Sequence, residues 1–108
     1  MAAEQMPEIT DSVLVMSNTL TVDPKDREKY LEELRLVLPE ARKLPGCLVL
    51  EAGEVTDMPG TFVLYERWRS GTEYVGEYLQ LPFYQRYLQQ SEPLYSAPRS
   101  VVVLSSVV

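Results

Sequence analysis

Residues 62–68, Phe-Val-Leu-Tyr-Glu-Arg-Trp, and the segment 70–73 that follows them constrain the fold of this 108-residue chain more than any other stretch. The β-branched and aromatic residues predict a strand, and Ser70 with Glu73 three positions later predicts the capped start of a helix. The chain's one tryptophan, Trp68, therefore lies at a strand-to-helix junction. Because the chain has no histidine, few other large side chains with polar tips remain to build a functional site.

The rest of the pattern predicts a second helix and three further strands. Residues 12–22 predict the first strand, and Asp23-Pro24 opens a helix, because aspartate caps helices and proline fits their first position. Apolar residues at helical spacing extend this helix to Arg42-Lys43, with a kink or break expected at Pro39. Residues 47–55 and 61–69 are predicted to form a hairpin around a type II turn at Pro59-Gly60. A helix is expected from Ser70, with a break near Pro82, to about Ser91. Residues 99–107 predict the last strand.

The order βαββαβ is typical of the ferredoxin-like α+β fold, a four-stranded antiparallel sheet with the helices on one face. Residues 12–108 are then expected to form one domain, preceded by a disordered tail over residues 1–11. The tail has no apolar run and the single Cys47 cannot form an internal disulfide, so we expect a cytoplasmic protein. The net charge of -6, with no dense Lys/Arg patch, argues against nucleic acid or an anionic membrane as a partner.

Both faces of the predicted sheet carry apolar side chains. Val13 and Val15 point away from the more apolar face of the first strand, and the last strand is apolar on both faces. Because the helices cover only one face, we expect a second copy of the chain to cover the other in a homodimer. The alternative is a monomer with a half-solvated sheet, which would suit the polar residues Ser17, Thr19, Thr21, Glu51 and Arg67.

Strand alternation places two polar side chains in the face that the helices cover. Asn18 interrupts an apolar row of the first strand formed by Leu14, Met16, Leu20 and Val22. Glu66 likewise interrupts a row of the third strand formed by Phe62, Leu64 and Trp68. An unpartnered buried amide costs about 1–3 kcal/mol, so Asn18 needs a hydrogen-bond partner.

Side chains of the second helix are expected to close this face into an aromatic slot. Tyr74 and Tyr78 lie one turn apart and can lean over the sheet, while Phe83, Arg86 and Tyr87 can close the far end. A slot of this kind suits a flat phenolic or quinone-like molecule, held by a few polar groups.

Each candidate residue also has a purely structural interpretation. Trp68 would pack in the core of a protein of any function, and Asn18 would be satisfied by a neighbouring backbone group. Glu66 would pair with Arg67 or Arg69 if it lay at an exposed strand end. Tyrosines 30, 84 and 95 are expected to mix core packing with surface exposure.

Missing residue types exclude several classes of enzyme. Without histidine, Ser-His-Asp and Cys-His nucleophilic sites and the common zinc and non-haem iron ligand sets are excluded. The sequence has no glycine-rich phosphate loop and no dinucleotide fingerprint, and Cys47 has no neighbouring base. We therefore expect no metal, nucleotide cofactor or covalent nucleophile. An electron-rich phenol or anthrone that is deprotonated in a pocket can itself donate an electron to O₂, and this chemistry fits the exclusions.

Several motifs in order along the chain also carry a family resemblance: Pro45-Gly46-Cys47-Leu48, Pro59-Gly60, Tyr65-Glu66-Arg67-Trp68 and Leu81-Pro82-Phe83. Across residues 12–104 the chain resembles the antibiotic biosynthesis monooxygenase family of dimeric α+β barrel proteins. The resemblance implies two sheets packed face to face in a homodimer. It also implies cofactor-independent oxygenation of a planar aromatic substrate, such as an anthrone, a hydroquinone or a quinol, with O₂, as in antibiotic and polyketide biosynthesis.

The resemblance also implies roles for individual residues. Asn18 and Trp68 would orient the substrate's carbonyl or phenol and stabilise charge, and Tyr74 would donate a hydrogen bond or transfer a proton. Arg86 would hold the enolate electrostatically. Glu66 would serve as the base if burial raised its pKa.

The chain departs from the family at its histidines. Gln80-Leu81-Pro82-Phe83 stands where many members have Ser-Pro-His-Phe, and Glu77 matches another frequent histidine. Glu77 and Tyr87 also replace the tryptophan and axial histidine of the haem-degrading relatives, so haem degradation fits poorly, although tyrosinate can ligate haem iron. Two hypotheses remain: a cofactor-free monooxygenase, and a non-catalytic or regulatory dimer that binds a small aromatic molecule.

Overall fold

The computed structural model describes residues 9–105 and 107, which form one sheet covered by helices on one face. The strands are β1 (Leu14–Thr21), β2 (Cys47–Glu54), β3 (Thr61–Trp68) and β4 (Ser100–Leu104), and the α-helices are α1 (Arg27–Arg42), α2 (Gly71–Gly76) and α3 (Pro82–Ser91). All neighbouring strands are antiparallel, in the order β2-β3-β1-β4. The predicted ferredoxin-like α+β fold is confirmed.

Helix α1 differs from its prediction at both the start and the middle. A short 3₁₀ turn, Pro24–Asp26, precedes it, and the side chain of Asp23 makes no capping hydrogen bond. The helix continues without interruption through Pro39 to Arg42. Buried residues on both sides of the proline, including Val37 and Ala41, pack in the core, and this packing outweighs the one lost backbone hydrogen bond.

The predicted type II turn at Pro59-Gly60 is confirmed, and the predicted helix cap at Ser70 is confirmed in part. Gly60 has φ of +91°, and the N–H of Thr61 donates to the carbonyl of Met58 over 3.0 Å, as a type II turn requires. Ser70 caps α2 by accepting from the N–H of Glu73 at 3.2 Å. The expected return bond from Glu73 is absent, because its carboxylate pairs instead with the guanidinium of Arg69 at 2.6 and 2.8 Å. A charge-assisted pair is stronger than a bond to a neutral N–H.

The last three residues of the predicted tail, residues 9–11, contact the folded domain. Ile9 packs against the core, the carbonyl of Thr10 accepts from the N–H of Thr72 at 3.0 Å, and Asp11 accepts from the Thr72 hydroxyl. Residues 1–8 of that tail lie outside the described residues. The second helix breaks before Pro82 as predicted, since a 3₁₀ turn, Tyr78–Gln80, separates α2 from α3.

We call the sheet face that is turned toward the helices the inner face and the opposite one the open face. The open face is partly apolar: Tyr65, Val102 and Leu104 are 39%, 51% and 44% exposed. Val15 lies on the same face but is buried, because Arg67 and Leu104 flank it on the neighbouring strands. Within residues 9–105 and 107, no helix is long and apolar enough to cross a membrane.

Candidate functional site

A cavity of about 380 Å³, which we call the main cavity, lies between the inner face and the helices. Its floor is formed by the inner-face side chains of β1, including Met16 and Asn18, and its lid includes Tyr74, Tyr84 and Tyr87. Most of the lining is apolar, and the volume is within the range of small-molecule sites. The cavity therefore has the size and the lining to hold a planar aromatic molecule.

Glu66 is the centre of a buried polar cluster in the cavity wall. Its side chain is 5% exposed, and its two carboxylate oxygens accept from Asn18 Nδ2 at 2.7 Å and from Trp68 Nε1 at 3.0 Å. Burial raises the pKa of Glu66 above its ordinary value. The bonds from Trp68 and Asn18 and the positive charge of Arg99 oppose that rise without cancelling it. The sequence predicted Asn18, Glu66 and Trp68 as site residues, and the structure joins these three side chains by hydrogen bonds.

The sheet register produces this cluster. Asn18 lies opposite Leu64 and Met16 lies opposite Glu66, so Asn18 and Glu66 form a diagonal pair on the inner face. Long polar side chains reach each other across a diagonal in an antiparallel pair. The structural interpretations of Asn18 and Glu66 do not hold. Asn18 bonds a side chain and not a neighbouring backbone group, and Glu66 bonds Trp68 and Asn18 in place of the neighbouring arginines.

Trp68 lies behind the cavity wall. It is 0% exposed and packs against Tyr74, Tyr78 and Tyr84, with ring centroids 4.6, 5.7 and 6.5 Å away. It is not among the residues that line the main cavity. Its indole N–H is donated to Glu66, so Trp68 has no direct access to the main cavity and borders it only through that carboxyl group.

The two tyrosines of the predicted slot lie in different places. Tyr74 lines the main cavity, and burial raises the pKa of its phenol well above the ordinary value, so the phenol stays protonated as a donor. The Tyr78 hydroxyl instead accepts from the N–H of Gly46 at 3.1 Å, and Tyr78 does not line the cavity. Tyr78 therefore supports the packing of Trp68.

The residues predicted for the far end of the slot line a second, smaller cavity of about 210 Å³ between α1 and α3. Phe83 and Arg86 line this second cavity and do not line the main one. Arg86 pairs with the buried carboxylate of Glu33 at 2.5 Å. Tyr87 lines both cavities, and its hydroxyl is 2.7 Å from that of Tyr30.

Sequence reasoning missed four residues that line the main cavity: Tyr84, Glu92, Tyr95 and Arg99. Tyr95 and Arg99 follow the 3₁₀ turn Glu92–Leu94, and no periodic pattern fixes the direction of side chains there. Tyr84 was expected to combine core packing with surface exposure, and burial raises the pKa of its phenol. Among the described residues, no three carboxylate or thiol side chains are grouped to hold a metal ion.

Comparisons with known proteins agree with this architecture. The structure of Rv0793 from Mycobacterium tuberculosis is similar with a TM-score of 0.80 at 27% identity, over 90% of this chain and 97% of that one. A crystal structure of an antibiotic biosynthesis monooxygenase matches with a TM-score of 0.81 at 19% identity, over 88% and 99% of the two chains. A Nitrosomonas europaea protein matches with the same scores and coverage, and at these lower identities the likeness shows the fold alone.

No match was found among curated protein sequences. The family model described as antibiotic biosynthesis monooxygenase matches residues 13–90, which is well over half of the chain. The chain belongs to the antibiotic biosynthesis monooxygenase family.

Proposed function

We propose that this protein is a cofactor-independent monooxygenase that oxidises a planar aromatic substrate, such as an anthrone or a hydroquinone, with O₂. The observation that carries the proposal is Glu66, a carboxyl group in the wall of an apolar cavity with its pKa raised by burial. A base with a raised pKa takes a proton from a weak carbon or phenol acid more readily near neutral pH. The apolar lining then keeps water away from the reactive anion.

The reaction of an anthrone balances without a further oxidant. Glu66 removes a proton from the ring CH₂ group, and the resulting enolate transfers one electron to O₂. The two radicals combine to form a peroxide at that carbon. Loss of water, with the second ring hydrogen and the proton returned from Glu66, leaves a quinone carbonyl, so one oxygen atom enters the product and the other leaves as water.

The contacts of Asn18 and Trp68 support a role in positioning the base. Both donate to Glu66, so they fix the carboxyl group in the wall and stabilise it when it is ionised. The amide of Asn18 carries a second N–H, and since Asn18 lines the cavity we propose that this N–H donates to a substrate oxygen. Tyr74, which stays protonated, is the second donor to the developing oxyanion.

We propose a homodimer through the open face of the sheet. Val102, Leu104 and Tyr65 form an apolar surface on this face, and no other described element covers it. The family resemblance implies the same packing of sheet on sheet. A stable interface of this kind buries on the order of 1,600 Å² in total.

The test is O₂ uptake by the purified protein with 1,8-dihydroxyanthrone and with menadiol, without added cofactor. We expect uptake of one O₂ for each quinone formed from the anthrone. Glu66→Gln should lower the rate at least a hundredfold, as expected when a general base is lost. The matched control Glu40→Gln, an exposed carboxyl on α1, should keep the parental rate. If Glu66→Gln also keeps the parental rate, Glu66 is not the base.

A second candidate is a dimer that binds a small aromatic molecule without turnover. Trp68 favours it, since the indole is fully buried and cannot touch a ligand directly, in contrast to the role that the family resemblance implied. Tight binding of aromatic ligands without O₂ uptake for any anthrone or quinol would support this candidate against the monooxygenase.

A further inference from the structure

One positive side chain lines the main cavity. Among the described residues that form its lining, Arg99 is the only lysine or arginine. Arg86, to which the resemblance assigned the electrostatic role, lines the second cavity and is already paired with Glu33. The positive charge available to a ligand in the main cavity is therefore that of Arg99.

Backbone contacts on both sides hold Arg99 at the end of the cavity. Tyr95 pairs with Val22 in a β-bridge, and the N–H of Ser96 donates to the carbonyl of Thr21 at 2.8 Å. Strand β4 begins at the next residue, Ser100, and pairs with β1. The backbone on both sides of Arg99 is thus held against β1, while its side chain is exposed and also lines the main cavity.

The charge of Arg99 acts on the interior of the protein. It lowers the pKa of Glu66 and of Tyr74, although burial is the larger influence on both groups. None of the ion pairs between described residues includes Arg99, and Glu92 on the same lining does not form one with it. An anion brought into the cavity would thus meet a guanidinium that no described carboxylate neutralises by direct contact.

We propose that Arg99 binds a carboxylate carried by the aromatic ligand, so that the cavity selects planar aromatic acids over their neutral analogues. This rests on the proposed function only in taking the main cavity as the ligand site. The ring system lies over the apolar floor between Glu66 and Arg99, with its acidic ring position at Glu66 and its carboxylate at Arg99. Glu92 on the same lining reduces the gain, and Arg99 is exposed to solvent, so we expect a preference of about tenfold, as one partly solvated charge-assisted contact gives.

The test compares anthraquinone-2-carboxylate with its methyl ester by titration calorimetry. The parental protein should bind the acid about tenfold more tightly than the ester, and added salt should reduce that preference. Arg99→Gln should remove the preference without weakening binding of the ester, and Arg99→Lys should keep part of it. Arg35→Gln, an exposed arginine on α1, is the matched control and should keep the full preference.

Equal binding of acid and ester by the parental protein would overturn the proposal, as would failure of both to bind. A preference that survives in Arg99→Gln, or that disappears in Arg86→Gln, would assign anion binding elsewhere. If Arg99→Gln fails to fold, the salt dependence and the lysine variant decide the matter. Both ligands are already oxidised, so their binding does not depend on turnover. If the separate assay with 1,8-dihydroxyanthrone and menadiol shows no O₂ uptake, the proposed oxygenase is refuted while the Arg99 result still stands.

Discussion

Replacing Glu66 by glutamine tests whether the buried carboxyl group carries a penalty for the fold. The glutamine side chain has nearly the same shape and no charge. Its oxygen can accept from Trp68 Nε1, and its amide can donate to Asn18 once the Asn18 amide turns to present its oxygen. Both hydrogen bonds are therefore retained, and the main change is the loss of a titrating group.

The expected effect depends on pH, and its sign follows from proton affinity. Burial raises the pKa of Glu66 above its ordinary value of 4.5, so the folded protein holds this proton more tightly than the unfolded chain does. Below pH 4.5 both states are protonated and the group contributes nothing. From pH 4.5 up to the folded pKa, the free energy of unfolding of the parental protein falls by up to about 1.4 kcal/mol per pH unit because of this group. Above the folded pKa the penalty is complete and constant.

Urea denaturation of the parental protein and Glu66→Gln at half-unit steps from pH 4 to 8 measures this effect. Contributions of all other carboxyl groups cancel in the difference between the two proteins. The stability of Glu66→Gln relative to the parent should rise with pH from 4.5 and then level off. A difference that is flat across this range, or that falls with pH, would refute the statement that burial governs Glu66.

Three further predictions address the turn, the open face and the lid. Gly60→Ala should lower the free energy of unfolding by at least about 1–2 kcal/mol, because φ is +91° and the new Cβ would clash with the carbonyl oxygen of Val22. An unchanged urea midpoint would contradict this. If the proposed homodimer forms, Val102→Asp should convert it to a monomer in light scattering, whereas a parental protein that is already monomeric at micromolar concentration would rule out the homodimer. Tyr74→Phe should slow anthrone oxidation about tenfold to a hundredfold with little change in binding, and full activity would remove its hydroxyl from the reaction.

Strand alternation made the inner face predictable from sequence. The period of two places Asn18 and Glu66 in the same apolar wall without knowledge of how the strands pair. Their mutual hydrogen bond was not predictable, because β1 and β3 are distant in sequence and their register depends on tertiary pairing. The same register explains why Asn18 does not bond a neighbouring backbone group and Glu66 does not pair with a neighbouring arginine. Asn18 bonds Glu66 on another strand, and Glu66 also accepts from Trp68, two residues along its own strand.

Helical phase limited the prediction of the lid. The break between α2 and α3 resets the direction of every later side chain, so Arg86 could not be placed from its spacing to Tyr74 and lies against Glu33 instead. Arg99 carried no periodic signal, because it follows a 3₁₀ turn and precedes a short strand. Beyond the break, Tyr87 is the one residue expected in the slot that lines the main cavity, and it also lines the second cavity.

The buried carboxyl group of Glu66 lowers the stability of the core, but a carboxyl group with a raised proton affinity suits a proton-transfer reaction. Apolar side chains of similar volume in place of a buried charge network are often neutral or stabilising, so folding alone does not call for a carboxyl group at this depth. Trp68 and Asn18 satisfy both of its oxygens, which limits the penalty and also fixes the group in one orientation. Where local choices lower stability inside a cavity wall, function is the expected reason. On this reasoning the cost of burying Glu66 and its proposed role as a base have one origin, because the low polarity that destabilises its ionised form is what raises its proton affinity.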